Sequence, residues 1–152
     1  MNYEELLIDS ESTGLIIKEK ALRLNNGRIK GNRIAIRKDL TTVEKSCVLA
    51  EELGHYYTTV GDIMEQSDTG NRKQELRARL WAYNAKIGLQ GIIDAYKARR
   101  TSPEEMAEFL DVTPEFLQDA LECYRTKYAP YVAIDNYVVF FDPCLAVLEV
   151  IR

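Results

Sequence analysis

The segment Glu51-Glu52-Leu53-Gly54-His55 is where residue type and spacing first suggest chemistry. In the pattern His-Glu-x-x-His, two ligands at i and i+4 share one helical face, and the intervening Glu reaches metal-held water as a general base. Here Glu51 stands where the first His would be. Glu51 and His55 remain neighbours on a helix surface, carboxylate oxygen is an accepted ligand, and Glu52 keeps the base position. The mechanism this permits is metal-assisted hydrolysis, with Glu52 taking a proton from water and passing it to a leaving amine.

A catalytic metal site needs a third protein ligand and one open position. Glu75, in the next expected helix, is the leading candidate, and Asp62, Glu65 and Asp68 in the intervening loop are alternatives. Two carboxylates with one imidazole neutralise a divalent charge, which admits manganese as well as zinc. An oxyanion donor would come from Tyr56, Tyr57 or an arginine. Glu51, Glu52 and His55 also fit a solvated helix face making local ion pairs, and Glu75 fits a pair with Arg79 at i+4. A Cys47–His55 nucleophile is excluded by distance, since eight residues of helix separate them by roughly 12 Å. Cys47 reads as core.

The elements that must hold these residues are legible. Thr41 followed by Glu44 is a capping box, and a helix over 42–57 buries Val43, Cys47, Ala50, Gly54 and Tyr57, with Glu51 and His55 at the margin. A second helix over 72–86 carries Leu76, Leu80 and Tyr83, with Ile87, at helical spacing after a loop over 61–71. Before them lie a short helix over 3–12, an unassigned apolar run 15–17, a turn at Asn25-Asn26-Gly27, and a half-buried strand over 32–37 whose Ile34–Ile36 stretch could pair with an extended peptide. Beyond Gly91 the pattern predicts helices over 92–99, 103–110 capped by Ser102 and 114–128 capped by Thr113. A hairpin 131–134/137–141 follows around Asp135-Asn136.

The chain has 152 residues, net charge −4 and a single histidine, so His55 has no substitute in any imidazole chemistry. That length is one domain's worth, read as one domain over 1–152 with a catalytic part (1–90) and a helix-turn-helix-like subregion (91–152). Three separated cysteines, never in a Cys-x-x-Cys pair, exclude a disulfide framework and a zinc knuckle. No apolar stretch is long enough to span a bilayer and the start lacks a secretory pattern, so a cytoplasmic location without membrane association is expected.

The segment Asn32-Arg33-Ile34-Ala35-Ile36, the run from Cys47 through Ile63 and Glu75-Leu76-Arg77-Ala78-Arg79-Leu80-Trp81-Ala82 together resemble the ImmA/IrrE-type metallopeptidases. The likeness is to the phage and prophage variant with Glu-Glu-Leu-Gly-His. By that resemblance Glu52 would be the base, His55 and Glu75 metal ligands, and Glu51 would occupy the place of the first His ligand. It implies zinc or another divalent ion, and as substrate a helix-turn-helix repressor of a phage or mobile element.

The fold class expected is α+β and mainly helical: a zincin-like helix pair with a small N-terminal sheet, then a helix-turn-helix-like part with a β-hairpin. The rival reading is a non-catalytic regulator that binds the repressor, or binds DNA through a winged-helix-like C-terminal part. Charge argues against direct DNA binding there. Residues 101–152 carry 3 basic and 10 acidic side chains, and the would-be recognition helix presents Glu115, Asp119 and Glu122.

Overall fold

A Gly-Asn pair bends the chain at Gly31-Asn32, and the hairpin it makes is the start of the site's scaffold. Gly31 takes φ +60°, the backbone that the first position of a two-residue II′ turn requires. The computed structural model describes the backbone of residues 1–59 and 68–151, and the side chains of 1–59 and 72–151. It divides into two compact units, Met1–Lys86 and Ile87–Arg152.

The first unit contains α1 (Tyr3–Glu11), β1 (Ile16–Lys20), β2 (Gly27–Lys30), β3 (Arg33–Arg37), α2 (Thr42–Thr58) and α3 (Asp68–Lys86). The strands form a sheet in the order β1-β3-β2, with β1 parallel and β2 antiparallel to β3. Alternation in β3 buries Ile34 and Ile36, and the register sets Ile17 and Ile29 on either side of Ile34. This apolar face packs on α2, which also receives α1 through the fully buried Leu6.

Helix α2 starts where its capping box predicts. The Glu44 amide donates to Thr41 Oγ1 at 3.1 Å and the Thr41 amide donates to Glu44 Oε1 at 3.0 Å. A second box, Asn2 with Glu5, starts α1. Tyr3 and Lys45 both reach Glu19 of β1, at 3.1 and 2.7 Å, and tie α1, β1 and α2 together. Burial and the Glu19 carboxylate push the Tyr3 phenol up to about 12.

Two expectations are corrected in this unit, and one open assignment is filled. Strand β3 is the central strand, hydrogen-bonded on both sides, so Ile34–Ile36 offers no edge to a peptide; the edges are β1 and β2. The run 15–17 opens a true strand, whose parallel partner lies seventeen residues on at Arg33 opposite Ile16. In α3, which begins at Asp68 rather than Arg72, Leu76 is 57% exposed while Ala78 and Ala82 are buried. The cause is the closeness of α2 and α3. A Cβ added at Gly54 would collide with the Ala78 carbonyl oxygen, so the contact row must be built of small residues. In α2 itself Cys47, Ala50 and Gly54 are buried, and Tyr57 lies partly exposed at the end of the stripe.

The second unit contains α4 (Gly88–Lys97), α5 (Pro103–Leu110), α6 (Pro114–Tyr128), β4 (Tyr131–Ile134), β5 (Tyr137–Phe140) and β6 (Ala146–Glu149). Ser102 and Thr113 cap α5 and α6 as predicted, each followed by proline at the first helical position. Asp111, at φ +57°, turns the chain between these two helices. Asp135, at φ +52°, makes the predicted hairpin between β4 and β5, and β6 adds a third antiparallel strand. The core holds Ile92, Ile93, Met106, Leu117, Val139 and Tyr124, whose hydroxyl accepts from the Gly88 amide. On α6, Glu115, Asp119 and Glu122 are exposed. The whole is α+β and mainly helical.

Candidate metallopeptidase site

The last two turns of α2 carry Glu51, Glu52 and His55, and their surroundings differ sharply. Glu51 is exposed, whereas Glu52 and His55 line an open cleft of ≈ 550 Å³ with Gly27, Arg28, Ile29, Gly31, Tyr56 and Thr59. One wall of this cleft is therefore β2, the edge strand, and the other is the carboxyl end of α2. The two walls approach closely because Gly27 has no side chain. A Cβ there would lie 3.0 Å from Glu52 Oε1 and closer still to Val48.

Glu52 is the electrostatically unusual residue. Burial against β2 pushes its carboxyl up to about 7, and the nearby charges of Glu51 and Glu75 add to the shift. A carboxyl poised near neutrality is what a general base at neutral pH needs, since it can both accept and release a proton.

His55 and Glu75 meet across the helix pair, with Nε2 and Oε2 3.5 Å apart. The other carboxylate oxygen of Glu75 accepts from Arg79 Nε at 3.0 Å, so the i+4 ion pair forms as well as the contact with His55. The backbone of His55 is held by Thr59, whose amide and hydroxyl both donate to its carbonyl.

Of the residues singled out in the sequence, the fold thus brings Glu52, His55 and Glu75 together and sets Glu51 one turn before His55. Asp62 and Glu65 lie outside the described residues, as does the side chain of Asp68. Among the described residues no group of three or more His, Cys, Asp or Glu stands in ligating geometry. The donor chemistry nevertheless fits a cation. An imidazole nitrogen faces a carboxylate, and the Glu52 carboxyl feels the negative potential of two more, which a positive ion would relieve.

Of the tyrosines, Tyr56 lines the cleft, while Tyr57 packs against the rings of Tyr56 and Trp81 at 5.3 and 5.0 Å. Gly27 and Arg28 are site residues that sequence reasoning missed. The available signal was Lys30-Gly31-Asn32-Arg33, whose Gly-Asn centre marks a two-residue hairpin and so places a strand before it.

No curated protein and no solved structure matches the chain. Among protein families, residues 15–122 match Peptidase_M78, described as the IrrE N-terminal-like domain. The match begins beside β1, contains the whole of the cleft described above and continues into α6. It covers well over half of the sequence, and the chain belongs to this metallopeptidase-type family.

Proposed function

We propose that the protein is a metal-dependent endopeptidase that acts in the cytoplasm on a helix-turn-helix repressor of a phage or mobile element. The observation that carries the reading is Glu52: a carboxyl pushed up to about 7 in a cleft, beside a His55–Glu75 contact and an edge strand. Membership of a metallopeptidase-type family supports the class of reaction, and the resemblance to the phage variant supports the repressor as substrate.

Glu51, His55 and Glu75 would hold a divalent cation, zinc or manganese. When bound it supplies positive charge that polarises a carbonyl and acidifies water. The chain's own groups do the rest. The free edge of β2 pairs with an extended substrate segment and lays its backbone along the cleft. Glu52 Oε1 accepts the proton of the attacking water and returns it to the leaving amide nitrogen. Tyr56, which lines the cleft, is the donor available to a developing oxyanion.

The test is to purify the protein, measure its bound metal and mix it with the helix-turn-helix repressor from a neighbouring gene. Glu52→Gln should abolish cleavage and keep the metal, and His55→Ala should lose the metal. Retained cleavage in Glu52→Gln would sink the mechanism. Capture of the repressor without cleavage would favour the non-catalytic reading. A metal-free protein that shifts DNA through α6 would favour the winged-helix reading, against which the exposed Glu115, Asp119 and Glu122 speak.

A further inference from the structure

The face of the first sheet turned away from α2 is strongly basic. Because side chains alternate along a strand, Ile34 and Ile36 point to the core, and Arg33 and Ala35 point the other way. The register then aligns Ile16, Arg33 and Lys30 in one row and Lys18, Ala35 and Arg28 in the next, with Lys20 opposite Arg37 beyond. Arg37 is neutralised by Asp39 at 2.6 Å. Lys18, Lys20, Arg28, Lys30 and Arg33 are all exposed, and among the described residues none of the five makes an ion pair or a side-chain hydrogen bond. They border a groove of ≈ 430 Å³ whose remaining lining is apolar and which contains no carboxylate. Lys30 and Arg33 are directly opposite, an arrangement that costs stability in a sheet.

We propose that this face binds the phosphate backbone of double-stranded nucleic acid. Its composition selects that partner over a protein. Protein interfaces are depleted in lysine at their centres and enriched in aromatic residues, whereas nucleic-acid interfaces are rich in positive charge. Three lysines, two arginines and no aromatic ring line the groove. The lack of aromatic rings also removes the stacking platforms that single strands use. The groove offers no amide or carboxylate side chain to pair with adenine or cytosine edges, so the contact assigned is with the phosphate backbone and a duplex of arbitrary sequence is the probe that fits it. The net charge of −4 conceals the face, since the acidic excess belongs to residues 101–152 and the cations are gathered by strand register. The binding itself is independent of the proposed peptidase activity. On that activity, it would hold the protease on the polymer its substrate occupies.

The experiment is fluorescence anisotropy of a labelled 20-base-pair DNA duplex of arbitrary sequence, titrated with the full chain at several salt concentrations. Binding is expected with Kd around 10⁻⁴ to 10⁻⁶ M near physiological salt and a log–log salt slope of about −4, as about five neutralised phosphates require. The triple change Lys18→Gln, Lys30→Gln and Arg33→Gln should weaken binding at least tenfold and reduce the slope by about 3. Arg72→Gln, Lys73→Gln and Arg77→Gln together, the same charge change on α3, should leave both within twofold. If the first triple variant fails to fold, Lys30→Gln alone should reduce the slope by about 1. Unchanged cleavage of a repressor peptide by the folded double variant Lys18→Gln with Arg33→Gln, which leaves β2 intact, would keep the two proposals separate. No duplex binding at low salt, equal loss in both triple variants, or tighter binding of an acidic peptide than of the duplex would overturn the assignment.

Discussion

His55 of α2 and Glu75 of α3 meet across the helix pair, Nε2 to Oε2, at 3.5 Å. Glu75 is shared, because Arg79 holds its other oxygen at 3.0 Å. Glu75→Ala should therefore weaken zinc or manganese binding at least about 100-fold, as loss of a ligand exceeds the usual cost of losing an outer-shell partner. Arg79→Ala should instead tighten it several-fold by releasing the carboxylate from a competing cation. Isothermal titration calorimetry separates the two, and equal affinities in all three proteins would remove Glu75 from the site.

The elevated Glu52 carboxyl makes a prediction about stability with a definite sign. Its folded value is about 7, above the ordinary 4.5, so the folded state holds this proton more tightly than the unfolded state. In metal-free protein the carboxyl therefore contributes a stability loss that begins as pH rises past about 4.5 and is complete above about 7. Glu52→Gln should raise the stability at pH 8 by about 1–2 kcal/mol, the shift being discounted for the exposed part of the group, and should leave it unchanged near pH 4.5. Thermal melts in chelator at the two pH values check this. A variant that melts lower at pH 8 would contradict the burial argument.

Gly54→Ala pits two effects against each other. Alanine improves helix propensity by about 1 kcal/mol, but its Cβ would strike the Ala78 carbonyl, a backbone atom that cannot rotate away. Overpacking of this kind costs about 1–3 kcal/mol and wins. Urea unfolding should show net destabilisation, and the cation affinity should fall with it, because displacing α3 carries Glu75 away from His55.

Tyr56 and Tyr57 are adjacent but differently placed. Tyr56→Phe should lower turnover about 100-fold without changing cation affinity, as loss of one oxyanion donor does. Tyr57→Phe, whose ring packs on Tyr56 and Trp81, should leave turnover within twofold. Steady-state kinetics on a repressor peptide decide it; equal turnover in both variants would remove Tyr56 as the donor.

What the sequence revealed follows the range of the interactions. The capping boxes at Asn2 and Thr41 and the caps at Ser102 and Thr113 involve residues three apart, so the starts of these helices can be read directly. The pairing of Ile16 with Arg33 is non-local, and no local pattern marks it. Leu76 misled because hydrophobic spacing assumes that the largest apolar side chains face the core, whereas Gly54 and Ala78 pack backbone against backbone. Glu52 and His55 were evident from spacing. Their cleft was not, since β2 reaches them only through Gly27, and the basic face requires the register of three strands at once.

The position of Glu51, Glu52 and His55 in the closing turns of α2 has an electrostatic consequence of its own. The peptide dipoles of a helix sum to roughly half a negative charge at its carboxyl end. The backbone of α2 thus adds a fixed attraction for cations that belongs to no side chain. Substitution series at Glu51, Glu52, His55 and Glu75 should converge on a residual cation affinity rather than on zero, and that remainder measures the helix itself.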